Sequence, residues 1–185
     1  MKRLMIGLML LASTAVFAAE STEQQNEPGG RPAYNSRTSV MLGFFTPLQI
    51  PGSDYDVRGV RLNLLYGTCC NFSGLDIGFV GVTKNRAKGC RVNLVNMAYD
   101  DGLGLHVGGV NYLSGDFKGL QIGLINWTDS GDAFQVGFYN GAYDVKGLQF
   151  GLINVTDKML GIQIGLFNII SYSDLSFFPI LNGWF

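Results

Sequence analysis

Four ionisable residues follow one another at equal intervals in the middle of the chain. Arg61, Asp76, Arg91 and His106 are each 15 residues apart. In a repeated structure, residues at a constant interval occupy equivalent positions, so these side chains would share one wall of the fold. Such charges in the wall of a channel set its ion preference or constrict it. The alternative is an ion-paired or solvated lining that transports nothing.

The same residues do not form a pattern typical of an enzyme. His106 is the single histidine, and no Ser or Cys nucleophile is spaced with a partnered carboxylate around it. One histidine without a Cys-x-x-Cys pair does not complete a zinc site. The glycine-rich "GLGLHVGGV" contains no GxGxxG before a helix and no Lys-Ser after it. We therefore expect no catalytic residue, no cofactor and no bound metal.

The interval belongs to a repeat that covers most of the chain. "GLQIGLIN" begins at Gly119 and the nearly identical "GLQFGLIN" begins at Gly147, and we call each such unit an octet. The first five octets begin 15 residues apart and the last four begin 14 apart. The nine octets begin at Gly59, Gly74, Gly89, Gly104, Gly119, Ala133, Gly147, Gly161 and Leu175.

Residues alternate in character within an octet. The second, fourth and sixth positions are mainly Leu, Ile, Val and Phe, whereas the third is polar and the fifth is Asn or Gly until Pro179. A period of two predicts β-strands with one apolar and one polar face. The polar face would carry the third-position residues Arg61, Asp76, Arg91, His106, Gln121, Gln135, Gln149 and Gln163.

Turns and one further strand complete the predicted pattern. Segments such as "YLSGDFK" and "WTDSGD" separate the octets and are rich in residues that favour turns. "TSVMLGFFTPLQI", residues 38–50, looks like a tenth and divergent strand. Pro47 and Pro51 predict that it lies at an end or edge of the sheet, because proline cannot donate a ladder hydrogen bond.

The N-terminal segment is typical of an exported protein. Lys2 and Arg3 precede the apolar "LMIGLMLLASTAVFA", which predicts a signal peptide over residues 1–19 with cleavage near Ala18 or Ala19. Residues 20–37 are polar and predict a flexible leader. Residues 38–185 then form one repeat-built domain. Charged residues make up 15% of the chain, below the roughly 25% of an average soluble domain.

The cysteines and the net charge add two expectations. Cys69, Cys70 and Cys90 are an odd number in a chain bound for an oxidising compartment. Adjacent cysteines seldom bond to each other, so we expect a disulfide between one of the pair and Cys90. The net charge of -1 gives no electrostatic reason to expect nucleic acid as a partner.

Two architectures fit these strands, and the first is an up-and-down antiparallel β-barrel of about ten short strands. The signal peptide, the even number of strands and their length of about 9–11 residues are typical of an outer-membrane barrel. One face is apolar and would meet lipid, while the polar face would line a lumen.

The second architecture is a β-solenoid. Asparagines recur at the eighth octet position, and in a parallel stack they would form a ladder of side-chain amides. The residues concerned are Asn96, Asn111, Asn126, Asn140, Asn154, Asn168 and Asn182.

Two resemblances bear on location. The ending "FFPILNGWF", with Phe185 as the last residue, resembles the assembly signal of bacterial outer-membrane β-barrels, although Pro179 and Gly183 interrupt the usual alternation. The GLQxGLIN-type octets together with "FFPILN" resemble bacterial envelope and surface repeat proteins of uncharacterised function. This resemblance implies an envelope or cell-surface location and brings no catalytic residues. Outer-membrane lipid and the barrel-assembly machinery are the partners expected of such a barrel.

The predicted function is accordingly that of a small non-enzymatic outer-membrane β-barrel, structural or weakly pore-forming. The alternative is a secreted or surface-attached β-solenoid that acts as an interaction or adhesion module.

Overall fold

A computed structural model describes residues 36–45 and 48–184, and all regular structure in these ranges is β-strand. The predicted signal peptide, nearly all of the leader, Pro47 and the proposed assembly residue Phe185 lie outside the described residues.

In the described ranges, the strands are β1 (Arg37–Phe45), β2 (Leu48–Ile50), β3 (Asp56–Cys69), β4 (Phe72–Thr83), β5 (Ala87–Ala98), β6 (Gly102–Ile170) and β7 (Phe177–Trp184). These seven strands form a single sheet in the order β2-β1-β3-β4-β5-β6-β7. β6 is continuous over 69 residues because the chain stays extended through successive octets.

Successive octets lie parallel to one another and in register. Gly59 pairs with Gly74, Gly74 with Gly89, and Gly89 with Gly104, so each octet stacks directly on the one before it. An up-and-down barrel requires antiparallel neighbours, and the predicted barrel is therefore wrong. The chain is a β-solenoid, as the alternative prediction stated, and each 14- or 15-residue repeat forms one coil of it.

The glycine that opens most octets is required by this stacking. Gly147 has φ +137°, and a Cβ placed there would lie 2.4 Å from the carbonyl oxygen of Ala133 in the preceding coil. A residue with a side chain would be strained in this conformation and would also push the two coils apart. In the coil opened by Ala133, the positive φ of +128° moves to Gly131.

Both ends of the stack are formed by antiparallel strands. β7 pairs antiparallel with residues 161–169 of β6, so the predicted ninth octet, from Leu175, does not form another parallel coil. Pro179 lies where the register of this pairing shifts. At the other end, the segment predicted as one divergent strand, residues 38–50, forms β1 and β2 instead. β2 pairs antiparallel with β1 and is the edge strand of the sheet, which agrees with the edge location predicted from the prolines. Antiparallel end strands stop the parallel repeat from continuing into a further coil.

The two predicted faces exist, but their surroundings differ from those of a barrel. In the octets from Gly59 to Gly161, side chains at the third position and the asparagines at the eighth are directed inward and are buried, whereas side chains at the second, fourth and sixth positions point outward. The polar face therefore faces the interior of the solenoid. Its side chains fill that interior in the described part of the chain, so the predicted lumen and pore are wrong.

In the described ranges, no helix is long and apolar enough to span a membrane.

Candidate functional site

The charged third-position residues form an ion-paired cluster inside the first coils. Asp76 lies between Arg61 and Arg91, which are both fully buried. Arg61 Nε donates to Asp76 Oδ1 at 2.9 Å, and Arg91 Nε donates to Asp76 Oδ2 at 3.1 Å. Arg61 Nη2 also donates to Oδ2, and Asn63 Nδ2 donates to Oδ1 at 2.8 Å, so the carboxylate accepts four hydrogen bonds. The predicted column of charges is thus real, and its charges are paired across neighbouring coils.

Burial and pairing act in opposite directions on the pKa values of this cluster. Burial alone would raise the pKa of Asp76, but the charges and hydrogen bonds of Arg61 and Arg91 lower it below its ordinary value. Burial lowers the pKa of Arg91 to about 10, against the attraction of Asp76. All three groups are ionised at neutral pH, which leaves one uncompensated positive charge among them.

His106 continues the column in a neutral state. Burial and then the charge of Arg91 lower its pKa to about 3. Its ring centroid lies 4.9 Å from that of Phe117, and its Nε2 has no hydrogen-bond partner among the described residues. An imidazole with this pKa is neutral near pH 7, so it serves neither as a general acid nor as a cation.

Glutamines carry the same column through the later coils. Gln135 donates to Gln121 Oε1 at 2.8 Å, Gln149 donates to Gln135 Oε1 at 2.6 Å, and Gln163 donates to Gln149 Oε1 at 2.8 Å. All four side chains are fully buried. These four glutamines, which were predicted to line a barrel lumen, are therefore hydrogen-bonded to one another inside the solenoid.

Asparagines at the eighth position form a second ladder. Asn96 Nδ2 donates to Asn111 Oδ1 at 2.8 Å and to the Val107 carbonyl oxygen at 3.0 Å. The same bond between side chains, also 2.8 Å long, recurs in each coil as far as Asn168. Asn182 is not part of it, since its Nδ2 donates to the carbonyl oxygens of Asn168 and Leu175. The predicted amide ladder is confirmed for six of the seven asparagines.

The charged cluster in the interior is closed to solvent. Arg61, Asp76 and Arg91 have no exposed surface. No group of His, Cys, Asp and Glu residues within 36–45 and 48–184 has an arrangement that could hold a metal ion.

The three cysteines are free thiols, in contrast to the predicted disulfide. Cys69 is buried, and its Sγ accepts a hydrogen bond from Arg61 Nη1 at 2.9 Å. Burial raises the pKa of this thiol despite the nearby arginines. Cys90 is the second residue of its octet, a position whose side chains point outward. Cys70 lies at a corner of the coil, with its Sγ 3.7 Å from the Ser53 carbonyl oxygen. The thiols thus have separate surroundings inside and outside the coil.

The outer surface carries an apolar face along the whole stack. We define the apolar face as the outward side chains at the second, fourth and sixth positions of the octets from Val60 to Leu166; none is charged and none has a hydrogen-bonding oxygen or nitrogen. Leu124 is 67% exposed, and Phe79 and Phe138 are more than half exposed. Such side chains normally lie in a core, so this face is the unusual feature of the molecule.

Charges on the surface are concentrated in the turns between coils. Arg86 pairs with Asp101 at 3.5 Å and Lys118 with Asp132 at 3.8 Å, and all four side chains are well exposed. Exposed pairs of this kind contribute little to stability. They make the surface formed by the segments between octets hydrophilic, so the solenoid is amphipathic around its circumference.

Sequence reasoning identified the apolar face but missed a groove at its N-terminal end. The groove lies where β2 folds back beside β1, and its walls come from strands β1 to β4. The only signal in the sequence was the proline-flanked end of the divergent first strand.

Comparison of the chain with protein-family models, with curated proteins and with solved structures gives no match in any of the three.

Proposed function

We propose that this protein is an exported, surface-attached β-solenoid that works as a non-enzymatic interaction module, and that its apolar face binds the lipid of the bacterial outer membrane. The uninterrupted apolar face on the outside of the solenoid is the observation that carries the proposal. Dependence on barrel-assembly machinery followed from the barrel architecture and is not part of it.

The size of the apolar face supports a role in binding. At least sixteen of its side chains are more than a third exposed. Together they present an apolar surface on the order of 1,000 Å², whereas the largest patch on a typical monomer is about 300–600 Å². Parallel sheets are almost always covered on both faces. Here the interior covers one face, and the other requires a partner.

The chemistry of the face favours lipid over a protein partner. Even homodimer interfaces are only about 65% apolar and contain a hydrogen bond for roughly every 100–200 Å². The apolar face offers no side-chain oxygen or nitrogen for hydrogen bonding, and its backbone groups are used in the ladders between coils. Hydrocarbon accepts such a surface without leaving any polar group unpaired.

Apolar surface outside the face supports the same partner. Ile180 and Leu181 of β7 are 73% and 55% exposed, and Leu48 and Ile50 of β2 are 60% and 79% exposed. A second copy docked on the flat face would leave these end strands uncovered. Fluid lipid chains adapt to the face and to its ends.

The test is flotation of the full mature chain with vesicles of phosphatidylethanolamine and phosphatidylglycerol. We expect the wild-type protein to float with the vesicles, because the apolar face enters the interfacial region. Leu124→Glu places a charge on the most exposed leucine of the face and should reduce the bound fraction at least tenfold. Asn85→Glu is the matched control, since it adds the same charge to an exposed turn residue.

Two outcomes would contradict the proposal. One is equal loss of flotation in both variants. The other is a stable dimer in light scattering that binds no vesicles, which would assign the face to a second copy of the chain.

A further inference from the structure

The apolar face is flat along most of its length and becomes concave at its N-terminal end. A groove of about 820 Å³ lies there, across β2, β1, β3 and β4. Its walls include the apolar side chains of Leu42, Phe44, Ile50, Leu62, Ile77 and Phe79. This volume lies within the roughly 300–1,000 Å³ of typical ligand pockets.

The outer wall of the groove is held in place from the interior. Gln49, between Leu48 and Ile50 in β2, is buried and donates from Nε2 to the Thr68 carbonyl oxygen at 2.7 Å. The amide of Thr68 donates back to Gln49 Oε1 at 3.1 Å. With Gln49 fixed inward, its neighbours in the strand are turned outward. Leu48 and Ile50 are therefore presented as a preformed apolar wall.

The lining limits the chemistry of an occupant. No charged residue lines the groove, and its two polar side chains, Gln49 and Asn63, are buried. Gln49 is bonded to Thr68 and Asn63 Nδ2 donates to Asp76, while Asn63 Oδ1 is enclosed and has no partner among the described residues. A sugar, peptide or headgroup would lose its hydrogen bonds to water without replacing them. A hydrocarbon chain has no such bonds to lose.

The length of the groove matches one leaflet of a membrane. Four adjacent strands are separated by three spacings, or about 14 Å. One leaflet contributes half of a hydrocarbon core about 30 Å thick, which is about 15 Å. An acyl chain of a membrane lipid therefore has the right length to lie across all four strands.

We propose that this groove binds one acyl chain of a membrane phospholipid, so that the N-terminal end of the solenoid holds a single lipid molecule while the flat face rests on the surrounding chains. The inference rests on the proposed attachment to lipid and adds a stoichiometric site to it. Retention of one lipid after removal from the membrane is the property that distinguishes the groove from the face.

The experiment measures lipid retained by the full mature chain. Protein is incubated with vesicles of phosphatidylethanolamine and phosphatidylglycerol, separated from them by gel filtration, and examined by native mass spectrometry. Leu42→Trp places a larger side chain in the groove, and Leu124→Trp makes the same change on the flat face. Both leucines are more than half exposed, so both variants should fold, which circular dichroism verifies.

We expect one phospholipid per chain in the wild type and in Leu124→Trp, and at least tenfold less in Leu42→Trp, with flotation on vesicles unchanged in all three. Equal retention by Leu42→Trp and wild type would overturn the groove, as would a free fatty acid retained in place of phospholipid. If the protein retains one lipid but does not float with vesicles, the proposed binding of the apolar face to the membrane is contradicted and the proposed lipid site in the groove is supported.

Discussion

The third-position column differs in chemistry between the two halves of the solenoid. In the coils 15 residues long it consists of alternating charges, Arg61, Asp76 and Arg91, followed by a neutral histidine. In the later coils it consists of identical amides, each bonded to the one before it. A glutamine is both donor and acceptor, so a column of glutamines satisfies itself. A column of charges satisfies itself only when the sign alternates. A single substitution therefore has a larger effect on stability in the first half.

The two amide ladders also run in opposite directions. Each asparagine donates to the asparagine of the following coil, whereas each glutamine donates to the glutamine of the preceding coil. Chains of hydrogen bonds polarise one another, and opposed chains offset each other's dipoles. The charged half has no such arrangement and retains a net positive charge.

The largest effect is expected from Asp76→Asn. It leaves Arg61 and Arg91 buried without their shared carboxylate, and the loss of one partner from a buried ion pair costs about 3–5 kcal/mol. The free energy of unfolding in urea measures this loss. Asp132→Asn, at an exposed pair with Lys118, is the control and should change stability by less than about 0.5 kcal/mol. Similar losses of unfolding free energy in the two variants would show that the buried cluster contributes no more to stability than an exposed ion pair.

Acid should destabilise the charged half through His106. Its pKa is about 3 in the folded protein, below its value of 6.5 in an unfolded chain. The stability from the neutral imidazole is present above pH 6.5 and is lost as the pH falls towards 3, by up to about 1.4 kcal/mol per pH unit. Urea unfolding at several pH values measures this slope. His106→Gln should reduce it, and an unchanged slope in that variant would assign the acid sensitivity to other groups.

The amide half should respond more weakly to the loss of one member. Gln149→Leu removes the donor to Gln135 Oε1, whereas Gln163 Nε2 loses one acceptor and keeps Thr156 Oγ1 and the Ile169 carbonyl oxygen. Buried groups left unsatisfied cost about 1–3 kcal/mol, and thermal and urea unfolding should show a loss of this size. Leu152→Gln makes the reverse exchange on the outward side of the same octet and should alter stability by less than about 0.5 kcal/mol. A larger effect there would mean that the apolar face is covered within the chain.

The smallest effect is expected when the first half is converted to the chemistry of the second. The triple variant Arg61→Gln, Asp76→Gln, Arg91→Gln removes all three charges together and places glutamines in the column on the N-terminal side of His106. Replacing a complete buried ion cluster is often close to neutral, so we expect a change within about 1 kcal/mol of wild type in urea unfolding. A loss of unfolding free energy as large as that of Asp76→Asn would show that the charges stabilise the fold and do not only offset the cost of burying one another.

Much of the site was predictable because the repeat places equivalent residues together. The alternation in Gly119–Asn126 predicted which side chains share a face, and the recurrence of asparagine predicted the ladder. The arrangement of Leu175–Asn182 was not predictable from the repeat, because the octet pattern is the same for a parallel and an antiparallel strand. The groove was missed for a similar reason, since it depends on how β2 pairs with β1.

The amino-acid sequence alone determined the repeat, the strands and the separation of polar from apolar side chains, because alternation along an extended chain is a local property. Only the tertiary structure decided which face is inside. Parallel stacking at one coil per repeat brings Gln121, Gln135 and their equivalents within hydrogen-bonding distance, so the polar face satisfies itself in the interior. The Leu-Ile-Leu face is thereby left outside, and it is this exposed apolar face that we propose binds lipid.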